Sequence, residues 1–292
     1  MKRLLKHCLL RLGGNALAPH LARLPIPHGS SREAQRLLAL AWEDRASRGG
    51  RVPSFDEAGF RSFSQTNEDG ILLLLQAVLG RGNGIVVEIG CGDGRENNST
   101  NLIINHGWNG FLFDGAAANI SNARNFFGTH PDTRIFPPSC AQAWFTRSNI
   151  NGLLGDAGVP GEIDVLSLDV DGVDYWLWEA LDAVRARIVV LEYNNVLPAD
   201  RAITVPYADD FATRVPDFTG ASLRAMVQLS RLKGYRFVGC NQLGFNAFFV
   251  RNDLGAPHFP EQPVEAGLGG PYPREAQRER FPAVKDLPWV KV

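Results

Sequence analysis

The run Ile85-Val86-Val87-Glu88-Ile89-Gly90-Cys91-Gly92-Asp93-Gly94 constrains the fold more than any other stretch. A short β-branched apolar segment reads as a strand buried on both faces, as in a parallel sheet. The three glycines that follow on alternate positions permit a sharp turn and a close ligand approach. Glu88, at the strand's carboxyl end, is expected to hydrogen-bond that ligand. Such a loop is where a nucleotide-like cofactor binds in a doubly wound sheet, and an ordinary strand-to-helix turn is the plain alternative.

A dinucleotide fingerprint needs a third glycine at position 95. Position 95 is Arg95, and the third glycine is Gly94. The resulting E-x-G-x-G-x-G resembles the first motif of class I S-adenosylmethionine (SAM) dependent methyltransferases. That resemblance implies a loop wrapped around the amino-acid part of SAM, with Glu88, Gly90, Gly92 and Gly94 as cofactor residues.

Downstream, strand-like runs alternate with helix signals. Asn98 or Ser99 is expected to cap a helix to about Asn105, ended by Gly107. Gly110–Asp114 reads as a second strand closed by an acid, 26 positions after Glu88. An acid there suits both hydroxyls of an adenosine ribose, so Asp114 joins the cofactor set. A helix over Asn119–Phe127 and a third strand near Thr133–Pro137 follow. Ser139, Cys140 and Ala141 then fall where an adenine would be contacted. Strands ending at Leu168 and at Glu192 complete the parallel set. A helix over Gly220–Leu232 leads to a hairpin, Tyr235–Cys240 and Phe245–Arg251, which places an antiparallel strand at the sheet's edge. Dinucleotide folds lack that strand, whereas class I methyltransferases resemble one another in having it. The expected fold is therefore α/β, a Rossmann-like doubly wound sheet of the class I methyltransferase type.

Several blocks together look like the FkbM-type methyltransferases and their relatives. They are Phe63-Ser-Gln-Thr-Asn-Glu-Asp-Gly-Ile71, Val87-Glu-Ile-Gly-Cys-Gly-Asp-Gly-Arg-Glu-Asn-Asn98, Leu168-Asp-Val-Asp-Gly-Val-Asp-Tyr-Trp176, Leu191-Glu-Tyr-Asn194 and Thr204-Val-Pro-Tyr207. The resemblance covers about residues 60–252. It implies SAM as cofactor and methyl transfer to an oxygen, often on a sugar or secondary metabolite. The Glu-Tyr-Asn-Asn block and the long segment after it depart from better-known members, so the substrate does not carry over.

Methyl transfer to an aliphatic hydroxyl needs an aligned oxygen and a route for its proton. Asp169, Asp171 and Asp174 leave the fourth strand; Glu192, Asn194 and Asn195 leave the fifth. Oxygen ligands on adjacent strand ends suit Mg²⁺, which would lower the hydroxyl's pKa. The candidate metal set is Asp169, Asp171, Glu192 and Asn194, resembling the two acids and an amide of metal-dependent O-methyltransferases. The catalytic candidates are Asp171, Asp169 and Glu192, and Asp169 also counts toward the cofactor. One aspartate acting as a metal-free base, or a purely structural turn, are the alternatives.

Three domains are expected: a helical extension over 1–60, a SAM-binding domain over 61–252, and a Pro/Gly-rich tail over 253–292. Residues 1–12 read as a short amphipathic helix, with a weak membrane-surface contact as its alternative. Arg32–Arg45 reads as a helix with Leu37, Leu38, Leu40 and Ala41 on its apolar side. Thr66 and Asp69 have capping-box spacing before a helix over Asn67–Leu79. Gln65, Asn67 and Asp69 are expected at the cofactor mouth, with Gln65 taken as a cofactor residue. The segment 197–218 is long enough for a lid or substrate wall. Tyr193, Tyr207, Trp176 and Trp178 could supply aromatic contacts, with at least one tryptophan in the core.

The chain has 292 residues and a formal net charge of −1, so no basic excess points to nucleic acid. Its four cysteines are scattered without a C-x-x-C pair, which suits a reducing, cytoplasmic compartment. No 18-residue apolar run suggests a transmembrane segment. The expected partner is a small-molecule or glycan acceptor, with oligomer formation open. The expected activity is a SAM-dependent O-methyltransferase. A methyltransferase-like protein that binds a ligand or partner without turnover is the alternative.

Overall fold

The computed structural model describes residues 28–292, with side chains from residue 31 onward. The helix expected over residues 1–12 lies outside the described residues. Leu38–Val292 forms one compact unit. The first described helix is α1 (His28–Ser47). Its buried side is not the expected one: Trp42 and Ala46 are buried, whereas Leu37 and Leu40 are exposed. The leucine cluster looked apolar in sequence, but the single large tryptophan on another face is what packs.

Within this unit, α2 (Phe55–Ala58) and α3 (Glu68–Leu79) precede the sheet. Ile71 to Leu75 are all at most 1% exposed, so α3 is apolar and buried around its circumference. Strands and helices then alternate as β1 (Ile85–Ile89), α4 (Thr100–His106), β2 (Asn109–Asp114), α5 (Ala117–Thr129) and β3 (Ser139–Gln142). They continue as α6 (Ile150–Asp156), β4 (Glu162–Leu168), α7 (Asp174–Ala180) and β5 (Arg185–Glu192). After a short β6 (Ile203–Thr204) come α8 (Leu223–Leu232), β7 (Tyr235–Cys240) and β8 (Asn246–Arg251).

The seven main strands lie in the order β3-β2-β1-β4-β5-β8-β7. The five strands from β3 to β5 are parallel, and β8 runs antiparallel between β5 and β7. The period-two pleat explains the continuous apolar runs. Val87, Leu166, Val189 and Phe249 face one core layer with α6, α7 and α8. Val86, Val165, Ile188 and Phe248 face the other with α3, α4 and α5. Each strand must satisfy two cores, so no polar alternation is left to read.

The third strand is later than expected. Thr133–Pro137 forms turns and loop, and Ser139–Gln142 is the strand. Ser139, Cys140 and Ala141 therefore pair with Phe111, Leu112 and Phe113 instead of following the strand. Pro137 and Pro138 delay pairing, because proline lacks the N–H a ladder needs.

Beyond Asn252 the chain forms α9 (Val264–Gly267), α10 (Pro271–Glu279), α11 (Phe281–Val284) and β9 (Val290–Lys291). β9 pairs antiparallel with β6. Among the described residues no helix is long and apolar enough to cross a membrane.

Candidate active site

The carboxyl ends of β1, β2 and β4 open into a cavity of about 420 Å³. Its walls include Gly90, Gly92, Asp114, Asn119, Asp169 and Asp171, with Trp144, Asp209 and Phe211 above them. The sheet places these residues together because β2, β1 and β4 are adjacent.

Two glycines are required by close packing. At Gly90 (φ +91°) an added Cβ would lie 1.6 Å from the Asp169 carbonyl oxygen. At Gly94 (φ +78°) it would lie 2.8 Å from the Phe127 ring and 3.2 Å from Ala123. Gly94 thus seats the loop on α5 and does not line the cavity, unlike the expectation for it. A Cβ on Gly92 would meet nothing within 4 Å, consistent with its place at the cavity.

Glu88 also departs from expectation. It is 3% exposed, and its two carboxylate oxygens accept the Asn98 and Ser99 N–H groups at 2.9 Å each. It caps the start of α4 and does not reach the cavity. Burial pushes its carboxyl above the usual range, opposed by those hydrogen bonds. Asn97 completes the cap, its Oδ1 accepting the Ser99 and Thr100 N–H groups at 3.1 and 2.9 Å. The expected caps from the Asn98 or Ser99 side chains are absent.

The segment before α3 is likewise structural. The Asp69 carboxylate accepts the N–H groups of Ser62, Phe63 and Ser64 at 2.6, 2.6 and 2.9 Å. Asn67 Oδ1 accepts the Gln242 N–H at 2.9 Å, tying this segment to the β7–β8 turn. No capping box forms at Thr66; the helix N-cap is Asn67, without a side-chain cap bond. Gln65 is exposed and does not line the cavity.

Asp114 closes β2 and lines the cavity. One carboxylate oxygen accepts the Gly92 N–H at 2.9 Å, and the other accepts Ala116 N–H and Asn119 Nδ2 at 2.8 and 3.0 Å. A carboxylate has about four acceptor sites, so it holds the glycine loop and keeps capacity for a ligand hydroxyl.

Asp169, Asp171 and Glu192 bring one carboxylate oxygen each within 4.8 Å of one another. Burial and the nearby Asp171 charge raise Asp169 to about 6, and burial with the Asp169 charge drives Glu192 well above the usual range. Asp174 braces the loop from inside, accepting Val170 N–H at 2.7 Å and Gly172 N–H at 2.9 Å. Burial, then the Asp169 charge, raises it to about 7. Asp171 is exposed, with φ +58°. Its carbonyl oxygen accepts the Thr219 hydroxyl at 2.6 Å, so the segment after β5 holds this turn.

The Asn194 amide is engaged by backbone groups. Its Nδ2 donates to the Asp217 and Thr219 carbonyls at 2.8 and 2.9 Å, and its Oδ1 accepts the Val196 N–H at 3.0 Å. The amide expected as a metal ligand is spent on bracing the long segment.

That segment reaches the cavity through Asp209 and Phe211. Trp144 Nε1 donates to the Asp209 carbonyl at 2.6 Å, and the Arg147 N–H donates to the Tyr207 hydroxyl at 2.8 Å. Tyr207 in turn donates to the Asp209 carboxylate. The Arg147 guanidinium lies over the Trp176 and Tyr207 rings, at 5.1 and 5.3 Å from their centroids. Trp178 is buried in the core and Tyr193 is 2% exposed. The sequence reading missed Trp144, Asp209 and Phe211. The late third strand hid Trp144, which follows the true strand closely.

The deciding feature of the sheet is β8, antiparallel between β5 and β7 beside five parallel strands. The fold is a Rossmann-like doubly wound sheet, mostly parallel with one antiparallel strand, as expected for the class I methyltransferase type. No family model matches the chain, and no curated protein matches it. Among solved structures, it is similar to an O-methyltransferase from Bacillus cereus in complex with SAH, at 14% identity over 80% of this chain and 95% of that one, TM-score 0.40. It is also similar to magnesium protoporphyrin IX methyltransferase from Synechocystis PCC 6803 with bound SAM, at 13% identity over 63% of this chain and 77% of that one, TM-score 0.38. A third is the glycopeptide N-methyltransferase MtfA complexed with SAH, at 12% identity over 66% of this chain and 93% of that one, TM-score 0.40. Within the sheet, the cavity and the acids occupy the carboxyl edge of the parallel strands.

Proposed function

We propose that this chain is a SAM-dependent methyltransferase acting on a hydroxyl of a small-molecule or glycan acceptor. The observation that carries the reading is the one cavity that Gly90, Gly92 and Asp114 share with Asp169 and Asp171. About 420 Å³ falls within the usual range for a small-molecule site, roughly 300–1,000 Å³. The glycine loop leaves room for an amino-acid group, and Asp114 retains capacity for the ribose hydroxyls.

SAM, when bound, supplies a methyl carbon activated by a sulfonium, displaced in line by the attacking oxygen. The chain must then hold the acceptor hydroxyl and take its proton. Asp171 is our candidate for that proton, being the most exposed of the three acids. Asp169 and Glu192, whose carboxylate oxygens lie within 4.8 Å of that of Asp171, fix the hydroxyl's position. A hard divalent cation such as Mg²⁺ fits the same all-oxygen donor set of Asp169, Asp171 and Glu192. It would offset the crowding of charge that raises Asp169 and Glu192. A metal-free reading has Asp171 alone as base, the exposed member of the three acids.

The reading is tested by thermal melts with SAM, SAH, NAD⁺ and NADP⁺. A ligand at about a hundred times its Kd stabilises by roughly 2.7 kcal/mol. A rise in midpoint with SAM and SAH alone is expected. A rise only with a dinucleotide, or with none of the four, overturns the reading. Chelation followed by Mg²⁺ addition separates the two versions of proton removal: only the metal-assisted one loses turnover and regains it.

A further inference from the structure

A second cavity, about 120 Å³, reaches the acidic cluster from the β5 side. Glu192 lines it, together with Asn195, Thr219, Phe245, Asp217 and Arg280. The larger cavity meets the same cluster through Asp169 and Asp171. The three acids therefore stand between two spaces. In-line displacement demands that nucleophile and leaving group approach the transferred carbon from opposite sides.

The mouth of the small cavity is built from two parts of the chain far apart in sequence. Arg280, in the turn between α10 and α11, donates to both oxygens of Asp217, through Nε at 3.0 Å and through Nη2. Asp217 has φ +66°. It and Asp171 are the only non-glycine residues with positive φ among the described residues, and both border these cavities. Backbone in that region costs energy outside glycine and persists where its surroundings hold it. Asn194 on the Asp217 carbonyl, and Arg280 on its carboxylate, do that here.

We infer that this small cavity is the acceptor subsite and that Arg280 and Asp217 select an uncharged vicinal diol. The inference rests on the donor assignment made above. The volume corresponds to about four waters at ~30 Å³ each, room for the reacting hydroxyl and its neighbour. The remainder of the acceptor extends past the mouth. Arg280 has five N–H donors, of which the pair with Asp217 uses two. Its free donors and the spare lone pairs of Asp217 match two adjacent hydroxyls, each a donor and an acceptor. Phe245, edge-on to Tyr272 at 5.5 Å between centroids, offers an apolar wall for the C–H face. A carboxylate on the acceptor would meet Glu192 and Asp217, with Arg280 already paired to Asp217, so a neutral acceptor is favoured.

The test is saturation-transfer NMR on the SAH-loaded protein. The probes are methyl glycosides of glucose, mannose, galactose and rhamnose, with glucuronate as the charged comparison. At least one neutral glycoside should bind, and glucuronate should bind more weakly. Arg280→Lys, which keeps the charge but loses the fork, should weaken that binding about tenfold. Asp217→Gly, which keeps the backbone conformation but removes the carboxylate, should do the same. SAH affinity should be unchanged in both variants. Failure of every neutral glycoside in protein that binds SAH overturns the inference, as does binding that survives both substitutions. Stronger binding of glucuronate also overturns it. Failure of SAH itself to bind strikes the donor reading first, and this inference falls with it.

Discussion

Gly90 and Asp169 meet backbone to backbone: the space a Cβ on Gly90 would occupy lies 1.6 Å from the Asp169 carbonyl oxygen. Asp169 also donates its N–H to the Ile89 carbonyl at 2.9 Å. The donor loop and the acidic loop are thus packed on each other as well as adjacent. Gly90→Ala is expected either to prevent folding or to displace the Asp169 turn. Circular dichroism separates the two outcomes. In folded variant protein, SAH affinity should fall at least about tenfold, since one methyl forces both loops apart. Native affinity in the variant would show that the close approach is dispensable.

Asp171 offers a gentler probe. Its φ of +58° is one that asparagine tolerates well. Asp171→Asn should therefore fold normally and bind SAH as the native protein does. Methyl transfer to any acceptor found should drop by about 10² or more, the scale of a lost general base. Retained transfer would move proton removal to Asp169 or Glu192.

The pH dependence of stability has a definite sign. Asp169 is raised to about 6 and Asp174 to about 7 in the folded chain, against about 3.9 unfolded. Groups raised on folding stabilise fully below the unfolded value, and that contribution is lost as pH rises through the folded values. Chelator-treated protein should thus melt at progressively lower temperature as pH climbs from 5 to 8. If Asp169, Asp171 and Glu192 hold a divalent cation, millimolar Mg²⁺ should flatten this slope, and most strongly at the alkaline end. A slope that is identical with and without Mg²⁺ would argue for the metal-free version.

Asn194 is predicted to matter for stability and not for metal affinity. Its amide makes three hydrogen bonds to loop backbone. Asn194→Ala should cost about 2–4 kcal/mol, at roughly 1 kcal/mol for each bond with added penalty for buried orphans. Limited proteolysis should cut first within residues 197–219. Any Mg²⁺-dependent stabilisation of the native protein should persist in the variant. Its loss would restore Asn194 to the ligand set.

Much of this architecture was legible in the sequence. Period and punctuation marked each parallel strand but the third, and the hairpin carrying β8 was readable from Gly234 and the Asn241–Gly244 turn. The third strand was misplaced because Ile135 and Phe136 look strand-like but are 72% and 88% exposed. Exposure is a tertiary property that a local pattern does not carry. The same limit applies to the acids. Glu88, Asp69 and Asp114 all accept backbone N–H groups, yet of the three Asp114 alone lines the cavity. Which acid faces a cavity depends on the donors the fold brings to it. Asp169, Asp171 and Glu192 could be grouped from sequence because adjacent strands end together. Arg280 was not, because no local rule connects it with Asp217, 63 positions earlier.

The pairing of β9 with β6 joins Ile203 to Lys291 and Thr204 to Val290. None of those four residues lines either cavity, but β6 belongs to the same long connection that supplies Asp209, Phe211 and Asp217. Trimming the final dozen residues, an edit that looks harmless on a sequence diagram, would therefore unpick one anchor of the wall around the acids. A shortened chain and the full one should be treated as two different candidates in any search for an acceptor.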